Sequence, residues 1–165
     1  MNDNRSAVEF SEQLIKGRIA ELIFSQMFRN GKRFTVIPFG YENAFPEIAQ
    51  YANLAEDKVV LETIRNSPDF ALVSHDKREV YLVEVKYRRT LTPAHVKEMA
   101  EKINNRWKSA QLFIATPNGF FFDDCSNIIT NNGAIPVLSA VWVSDDEQNE
   151  YIKLVNEFIC KPIAS

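Results

Sequence analysis

The sequence has few cysteines and no long apolar segment, and both shortages limit the kind of protein it encodes. Its two cysteines in 165 residues, Cys125 and Cys160, lie far apart without metal-type spacing. This pattern favours two buried thiols over a disulfide. No apolar run approaches the ~20 residues that a membrane-spanning helix needs, and residues 1–5 are polar, unlike the start of a signal peptide. These features predict a soluble, cytoplasmic protein.

A strong net charge is also missing, since the chain carries only −3. This value argues against a general nucleic-acid coat protein. Residues 86–108 differ from the rest, because they contain seven Lys or Arg and only two Glu. This segment has a charge of +5, so the remainder of the chain carries −8. A basic segment beside acidic side chains fits an enzyme that holds phosphate groups next to metal ions. The alternative is a solvated helix face, which we favour for Lys102 and Lys108 taken singly.

A predicted β-hairpin organises the chain. Two apolar runs, Phe70–Val73 and Val80–Val85, flank the polar segment Ser74–Glu79. Apolar runs bounded by turn residues are typical of hairpins. If the turn is centred between Asp76 and Lys77, with two or four loop residues, the numbers of opposed residues sum to 153.

That register places two carboxylates together. Asp69 lies opposite Glu84 on one face of the sheet, with Cβ atoms roughly 4.5–5.5 Å apart. Two like charges at this spacing repel each other, and a divalent cation between them would relieve the repulsion. Hard oxygen ligands suit Mg²⁺ or Mn²⁺. Lys86 shares the face of Glu84, because side chains alternate along a strand.

The pair Pro68-Asp69, followed by Glu84-Val85-Lys86 at the end of the next strand, resembles the signature of the PD-(D/E)XK nuclease superfamily, which has the restriction-endonuclease-like fold. The resemblance covers about residues 10–116. The resemblance depends on the hairpin, on the shared sheet face of Asp69 and Glu84, and on the order of elements, because the Glu-x-Lys triplet alone is weak evidence. The same triplet occurs at Glu56-Asp57-Lys58 in a polar context without significance.

The resemblance implies a metal-dependent nuclease that hydrolyses phosphodiester bonds, with DNA as the expected nucleic acid. Asp69, Glu84 and the backbone carbonyl of Val85 would ligate Mg²⁺ or Mn²⁺. Lys86 would position or deprotonate the attacking water, or neutralise charge on the phosphate. Two alternatives stay open: a non-catalytic nucleic-acid- or protein-binding module with the same fold, and a structural dimer whose acidic pair is only hydrogen-bonded.

Glu21 is the unusual residue of the first predicted helix, 4–30. It lies within an apolar stripe, one turn after Gly17, where a carboxylate needs a partner or a metal. The first helix of similar nucleases, such as archaeal Holliday-junction resolvases, often carries an acidic residue that faces the active site. The alternative is that Glu21 reaches water or pairs with Arg18 or Lys16. The predicted stripe comprises Phe10, Leu14, Gly17, Glu21, Phe24 and Phe28.

Basic residues after the motif are candidates for phosphate contacts, namely Arg88, Arg89 and Lys97. Glu42, near the end of the first predicted strand, is a further candidate for the site by resemblance.

The expected fold is a single α/β domain over 1–165, with a restriction-endonuclease-like αβββαβ core and a mixed sheet flanked by helices. We expect an insertion at about 44–65, and a crossover helix over 90–108 capped by Thr92. A C-terminal strand over 135–143 and a helix opened by the capping box 144–147 follow. This C-terminal segment either covers the sheet or forms a homodimer interface.

Overall fold

A five-stranded mixed β-sheet forms the centre of the molecule, whose computed structural model describes residues 2–40 and 58–160. The strands follow one another across the sheet in chain order, and all neighbours are antiparallel except the parallel pair β3 and β4. The protein is therefore of the α/β class, as predicted. The strands are β1 (Phe34–Pro38), β2 (Phe70–Ser74), β3 (Val80–Tyr87), β4 (Gln111–Thr116) and β5 (Gly119–Asp124).

Helices flank both faces of this sheet. The helices are α1 (Asn2–Asn30), α2 (Lys58–Arg65), α3 (Pro93–Arg106), α4 (Cys125–Thr130) and α5 (Asp145–Val155), which continues into a π-helical turn (Asn156–Cys160). None of the helices within the described residues combines the length and the apolar character that crossing a bilayer requires.

The hairpin has the predicted register. Phe70 pairs with Val83 and Val73 with Val80, so the numbers of opposed residues sum to 153. The N–H of Ser74 donates to the carbonyl of Glu79 at 3.0 Å, which leaves a four-residue loop. With an even number of loop residues, the apolar residues of the two strands fall opposite each other, and their side chains lie on the same face of the sheet.

The two faces of the sheet have separate cores. Alternate residues of β3, such as Val83 and Val85, are buried against α1 and α5. Leu112 and Ile114 of β4 point the other way and pack with α3 and α4. Since Glu84 is registered with Leu112 across the parallel pair, its side chain lies on the α3 face.

The buried stripe of α1 is shorter than the sequence predicted. Phe24 and Phe28 are buried, but Phe10 is 71% exposed and Leu14 56% exposed. The prediction of one continuous buried stripe is therefore wrong in its first half. The sheet is narrower than the helix is long, so only the C-terminal half of α1 lies against it.

The predicted start of the crossover helix, α3, is confirmed. The side chain of Thr92 accepts a hydrogen bond from the N–H of His95, and Pro93 occupies the first turn. Pro can take this position because the first N–H groups of a helix have no partner within the helix. Val96 and Ala100 are buried against the sheet.

The predicted C-terminal strand over 135–143 is wrong. This segment has an irregular backbone and forms only an isolated bridge between Val137 and Phe121. Pro136 accepts from Phe122 through its carbonyl but has no N–H to donate, so a ladder cannot propagate. The capping box is confirmed, since the Ser144 side chain accepts from the N–H of Glu147 and begins α5.

Other predictions fall partly outside the described residues. Glu42 and the first part of the expected insertion, 44–57, lie there. The second part is helix α2, which leads directly into β2. Both cysteines are free, as expected, but only Cys125 is buried, whereas Cys160 is exposed.

Candidate metal and phosphate site

Asp69 lies directly before β2, and hydrogen bonds hold both its main chain and its side chain. Its carbonyl accepts from the N–H groups of Phe39 at 2.9 Å and Gly40 at 3.0 Å. Its carboxylate Oδ2 accepts from the N–H of Val85 at 2.7 Å. The ladder between β2 and β3 ends one pair earlier, at Phe70. The carboxylate therefore accepts the hydrogen bond that the Val85 N–H would have given to the carbonyl of Pro68 if the ladder had continued.

The carbonyl of Val85 points toward the same place. The N–H of Arg88 donates to Ala115 of β4, so the even-numbered residues at this end of β3 direct their main-chain groups toward β4. Odd-numbered residues then direct theirs toward β2. The N–H and C=O of one strand residue point the same way, so the carbonyl of Val85 faces the β2 side of the sheet, as does the N–H that binds Asp69.

Burial, and next the negative charge of nearby Glu84, raise the pKa of Asp69 from its ordinary value of 3.8 to about 7. The hydrogen bond from Val85 opposes this rise, the charge of Glu21 adds to it, and the charge of Lys86 lowers the pKa slightly. The carboxyl group of Asp69 therefore lies in surroundings that disfavour its negative charge.

Lys86 and Glu84 form an ion pair on the α3 face, with Nζ 2.5 Å from Oε1. Their side chains are 35% and 17% exposed. The two residues share a face because they are two positions apart on β3, as the sequence predicted. The ammonium group balances the charge of Glu84 more directly than that of Asp69.

Glu21 approaches the site from α1, on the other face of the sheet. Its Oε2 accepts from Arg18 at 3.0 Å, and its charge still contributes to the pKa of Asp69. Both sequence interpretations therefore apply to it: it is ion-paired, and it faces the site. Among the described residues, no atom lies within 4 Å of the position that a Cβ on Gly17 would take.

Two cavities meet at Asp69. The first, of about 440 Å³, lies between α1 and the sheet and includes Gly17, Arg18 and Glu21; we call it the α1-side cavity. The second, of about 450 Å³, lies against α3 and includes Glu84; we call it the α3-side cavity. Five residues line both cavities, namely Arg65, Ser67, Asp69, Lys86 and Arg88.

Of the three basic residues chosen from the sequence, Arg88 lines both cavities. Arg89 and Lys97 lie outside them, and Lys97 instead binds the side chain of Asn132 at 3.3 Å. The choice of Arg89 and Lys97 as site residues therefore finds no support in the geometry of the two cavities.

The residues of the α3-side cavity that sequence reasoning missed include Arg65, Ser67, Lys102 and Arg106. A signal for two of them existed, because Lys102 and Arg106 are one turn apart on α3 and therefore share a helix face. Arg65 lies at the end of the expected insertion and Ser67 directly before Pro68-Asp69, and no sequence pattern indicated a role for either residue.

The donor set fits a hard divalent cation. Within residues 2–40 and 58–160, no three His, Cys, Asp or Glu side chains converge into a metal-binding group. The side-chain donors are therefore the carboxylates of Asp69 and Glu84, with the carbonyl of Val85 as a main-chain donor. Mg²⁺ is commonly bound through one or two carboxylates and keeps several waters. The raised pKa of Asp69 marks the unbalanced charge that such an ion would neutralise.

A comparison of the chain with protein-family models, with curated proteins and with solved structures finds no match.

Proposed function

We propose that this protein is a metal-dependent nuclease of the PD-(D/E)XK type, with a restriction-endonuclease-like fold, that hydrolyses phosphodiester bonds in DNA. The observation that carries the proposal is the position of Asp69 beside the end of the paired hairpin, next to Glu84 and Lys86. A buried carboxylate with a raised pKa beside a second carboxylate is a common feature of catalytic sites.

Asp69, Glu84 and the carbonyl of Val85 would hold Mg²⁺ or Mn²⁺. When bound, such an ion lowers the pKa of its water and polarises the phosphate. The Val85 N–H and the two N–H groups on the Asp69 carbonyl keep the carboxylate in place before any ligand arrives. This pre-organisation lowers the cost of binding.

Lys86 supplies the positive charge of the site. Its ammonium group is held beside Glu84 and lines both cavities. From there it donates hydrogen bonds to a phosphate oxygen or orients a water for attack. Glu21 faces the α1-side cavity, where its carboxylate accepts a hydrogen bond from water or contributes to a second ion site.

The test is cleavage of a panel of linear duplex, branched and single-stranded DNA and RNA substrates with Mn²⁺, Mg²⁺ or EDTA, with products resolved on a gel. We expect cleavage of at least one substrate with metal, none with EDTA, and none by Asp69→Asn. Glu12→Gln, on the exposed part of α1, is the matched control and should cleave like the parent. A parent protein that cuts no nucleic acid would contradict the proposal.

One observation favours a second candidate, a nucleic-acid- or protein-binding module without catalysis. The contact of Lys86 with Glu84 already neutralises one carboxylate without a metal. Thermal melting with millimolar Mn²⁺ separates the two functions, because a ligand that binds only the native state stabilises it by mass action. An increase in melting temperature that disappears in Asp69→Asn supports the nuclease, and an unchanged melting temperature supports the binding module.

A further inference from the structure

We infer that the α3-side cavity is a subsite for a second phosphodiester group, adjacent to the one that would be cut. This inference rests on the proposed function. It assigns to Arg65, Ser67 and Arg106 the binding of a nucleic-acid backbone that continues past the carboxylates toward α3.

The α3-side cavity carries an excess of positive charge. Five cationic side chains line it, against the two carboxylates of the candidate metal site. They are Arg65, Lys86, Arg88, Lys102 and Arg106. A concave surface with this excess of positive charge attracts phosphate groups.

The cations of this cavity differ in whether a neighbouring carboxylate balances their charge. Lys86 and Lys102 are bound by carboxylates, Glu84 at 2.5 Å and Glu98 at 2.7 Å. Arg106 instead donates to the neutral amide oxygen of Asn66 at 2.8 Å. That contact orients the guanidinium without balancing its charge, so Arg106 keeps its attraction for an anion.

The hydroxyl of Ser67 supports the subsite independently of charge. Ser67 is only 8% exposed, and its hydroxyl has no hydrogen-bond partner among the described residues. Buried polar groups without partners are rare in native proteins and call for a specific explanation. Because Ser67 lines both cavities, a phosphate oxygen at their junction would accept a hydrogen bond from this hydroxyl.

The arrangement also defines the path of the bound strand across the protein. Ser67 and Arg65 stand at the junction with Asp69, whereas Arg106 and Lys102 lie farther along α3. A phosphate beside Asp69 and a second phosphate beside Arg106 belong to a strand that crosses the site and continues on both sides. A free mononucleotide would not use both positions.

The experiment measures binding without cleavage. Anisotropy of fluorescein-labelled single-stranded and duplex DNA is followed in EDTA across a salt series for the parent, Arg65→Gln, Arg106→Gln and Ser67→Ala. Gln is chosen because it removes the charge of arginine and keeps hydrogen-bond donors on the side chain. The control is Arg29→Gln, an exposed helical arginine outside both cavities. Melting with Mn²⁺ checks that the carboxylate pair is intact in each variant.

We expect each of the two site arginine variants to lower the log–log salt slope by about 0.7 for single strands or about 0.9 for duplex. Arg29→Gln should keep the slope of the parent. Ser67→Ala should weaken binding several-fold at every salt concentration with an unchanged slope, because a hydroxyl carries no charge. Its melting temperature should not fall, because the hydroxyl has no partner to lose.

Each outcome decides between the subsite and the proposed function. If the parent binds DNA with these variant effects but never cleaves it, the subsite stands and the nuclease proposal fails. Cleavage by the parent with salt slopes of Arg65→Gln and Arg106→Gln equal to that of Arg29→Gln overturns the subsite alone. A parent that binds no DNA in EDTA also overturns the subsite, and so does a Ser67→Ala variant that is less stable but binds normally.

Discussion

The main-chain N–H of Val85 donates a 2.7 Å hydrogen bond to the carboxylate of Asp69. This contact joins the residue before β2 to Val85, which lies two positions past the last β3 residue paired with β2. It holds the Asp69 carboxylate at the candidate metal site through geometry that does not require a charge. An Asn side chain can accept the same hydrogen bond, so the charge of Asp69 can be removed while its position is kept.

Asp69→Asn should stabilise the metal-free protein at neutral and higher pH. The pKa of Asp69 is about 7 in the folded protein, against an ordinary value of 3.8. Between these values the folded state holds a proton that the unfolded state has released, so the parent loses stability as the pH rises from about 4 to about 7. The loss is at most about 1.4 kcal/mol per pH unit. Asn does not titrate, so the variant lacks this loss.

The measurement is urea unfolding in EDTA at pH 5 and pH 8. The free energy of unfolding of Asp69→Asn, relative to the parent, should be higher at pH 8 than at pH 5. Glu12→Gln removes the same charge at an exposed site and should show no such difference. An Asp69→Asn effect that is equal at the two pH values would rule out the raised pKa.

Metal binding should release a proton near neutral pH. Because the carboxyl group of Asp69 holds a proton until about pH 7, a cation that binds to it must displace that proton. The affinity for Mn²⁺ should therefore rise between about pH 6 and pH 8. Calorimetric titration in two buffers of different ionisation enthalpy counts the protons released. An affinity independent of pH would contradict Asp69 as a ligand.

Lys86→Met should affect the metal-free protein in the opposite direction from Asp69→Asn. It leaves Glu84 without the ammonium group at 2.5 Å, so we expect a loss of about 1 kcal/mol in the free energy of unfolding. Mn²⁺ affinity should be kept, because Lys86 is not a ligand. Cleavage should fall by about 10²–10⁴-fold, the usual contribution of a positioned acid or base.

The matched control for this variant is Lys153→Met, which removes an exposed lysine 2.6 Å from Glu150. Exposed ion pairs contribute about 0–1 kcal/mol, so the control should retain stability and cleavage. If Lys86→Met cleaves like the control, Lys86 is not part of the reaction.

Glu21→Gln should lower the pKa of Asp69. The charge of Glu21 is one of the causes of the raised pKa, and Gln keeps an oxygen that can accept from Arg18. Titration of the Asp69 carboxyl carbon by NMR should show a midpoint at lower pH in the variant, with Glu12→Gln unchanged. Cleavage rates of the same two variants then show whether Glu21 contributes to the reaction. An unchanged Asp69 midpoint would place Glu21 outside the site.

Local signals in the sequence were sufficient for the hairpin and for the start of α3. The register follows from a four-residue turn and from alternation, both of which depend on neighbouring residues only. The Thr92 cap likewise depends on three residues and a following Pro. These interactions are formed within short segments, so a single sequence contains most of the information about them.

Predictions failed where distant segments compete for the same surface. The first half of α1 has an apolar stripe, yet the sheet covers only the second half. Residues 135–143 are apolar enough for a strand, but Pro136 prevents a continuous ladder with β5. Periodicity records that a face is apolar, and it does not record which other element covers it.

By itself, the sequence determined the register of the hairpin and the shared face of Glu84 and Lys86, because strand geometry is periodic and the turn is short. Only the tertiary structure decided that Arg65, Ser67 and Arg106 line a cavity beside that pair. Their convergence requires α2 to end beside β2, and the crossover from β3 to β4 to place α3 against the same face. Long-range packing sets both positions, and no local pattern in the chain encodes them.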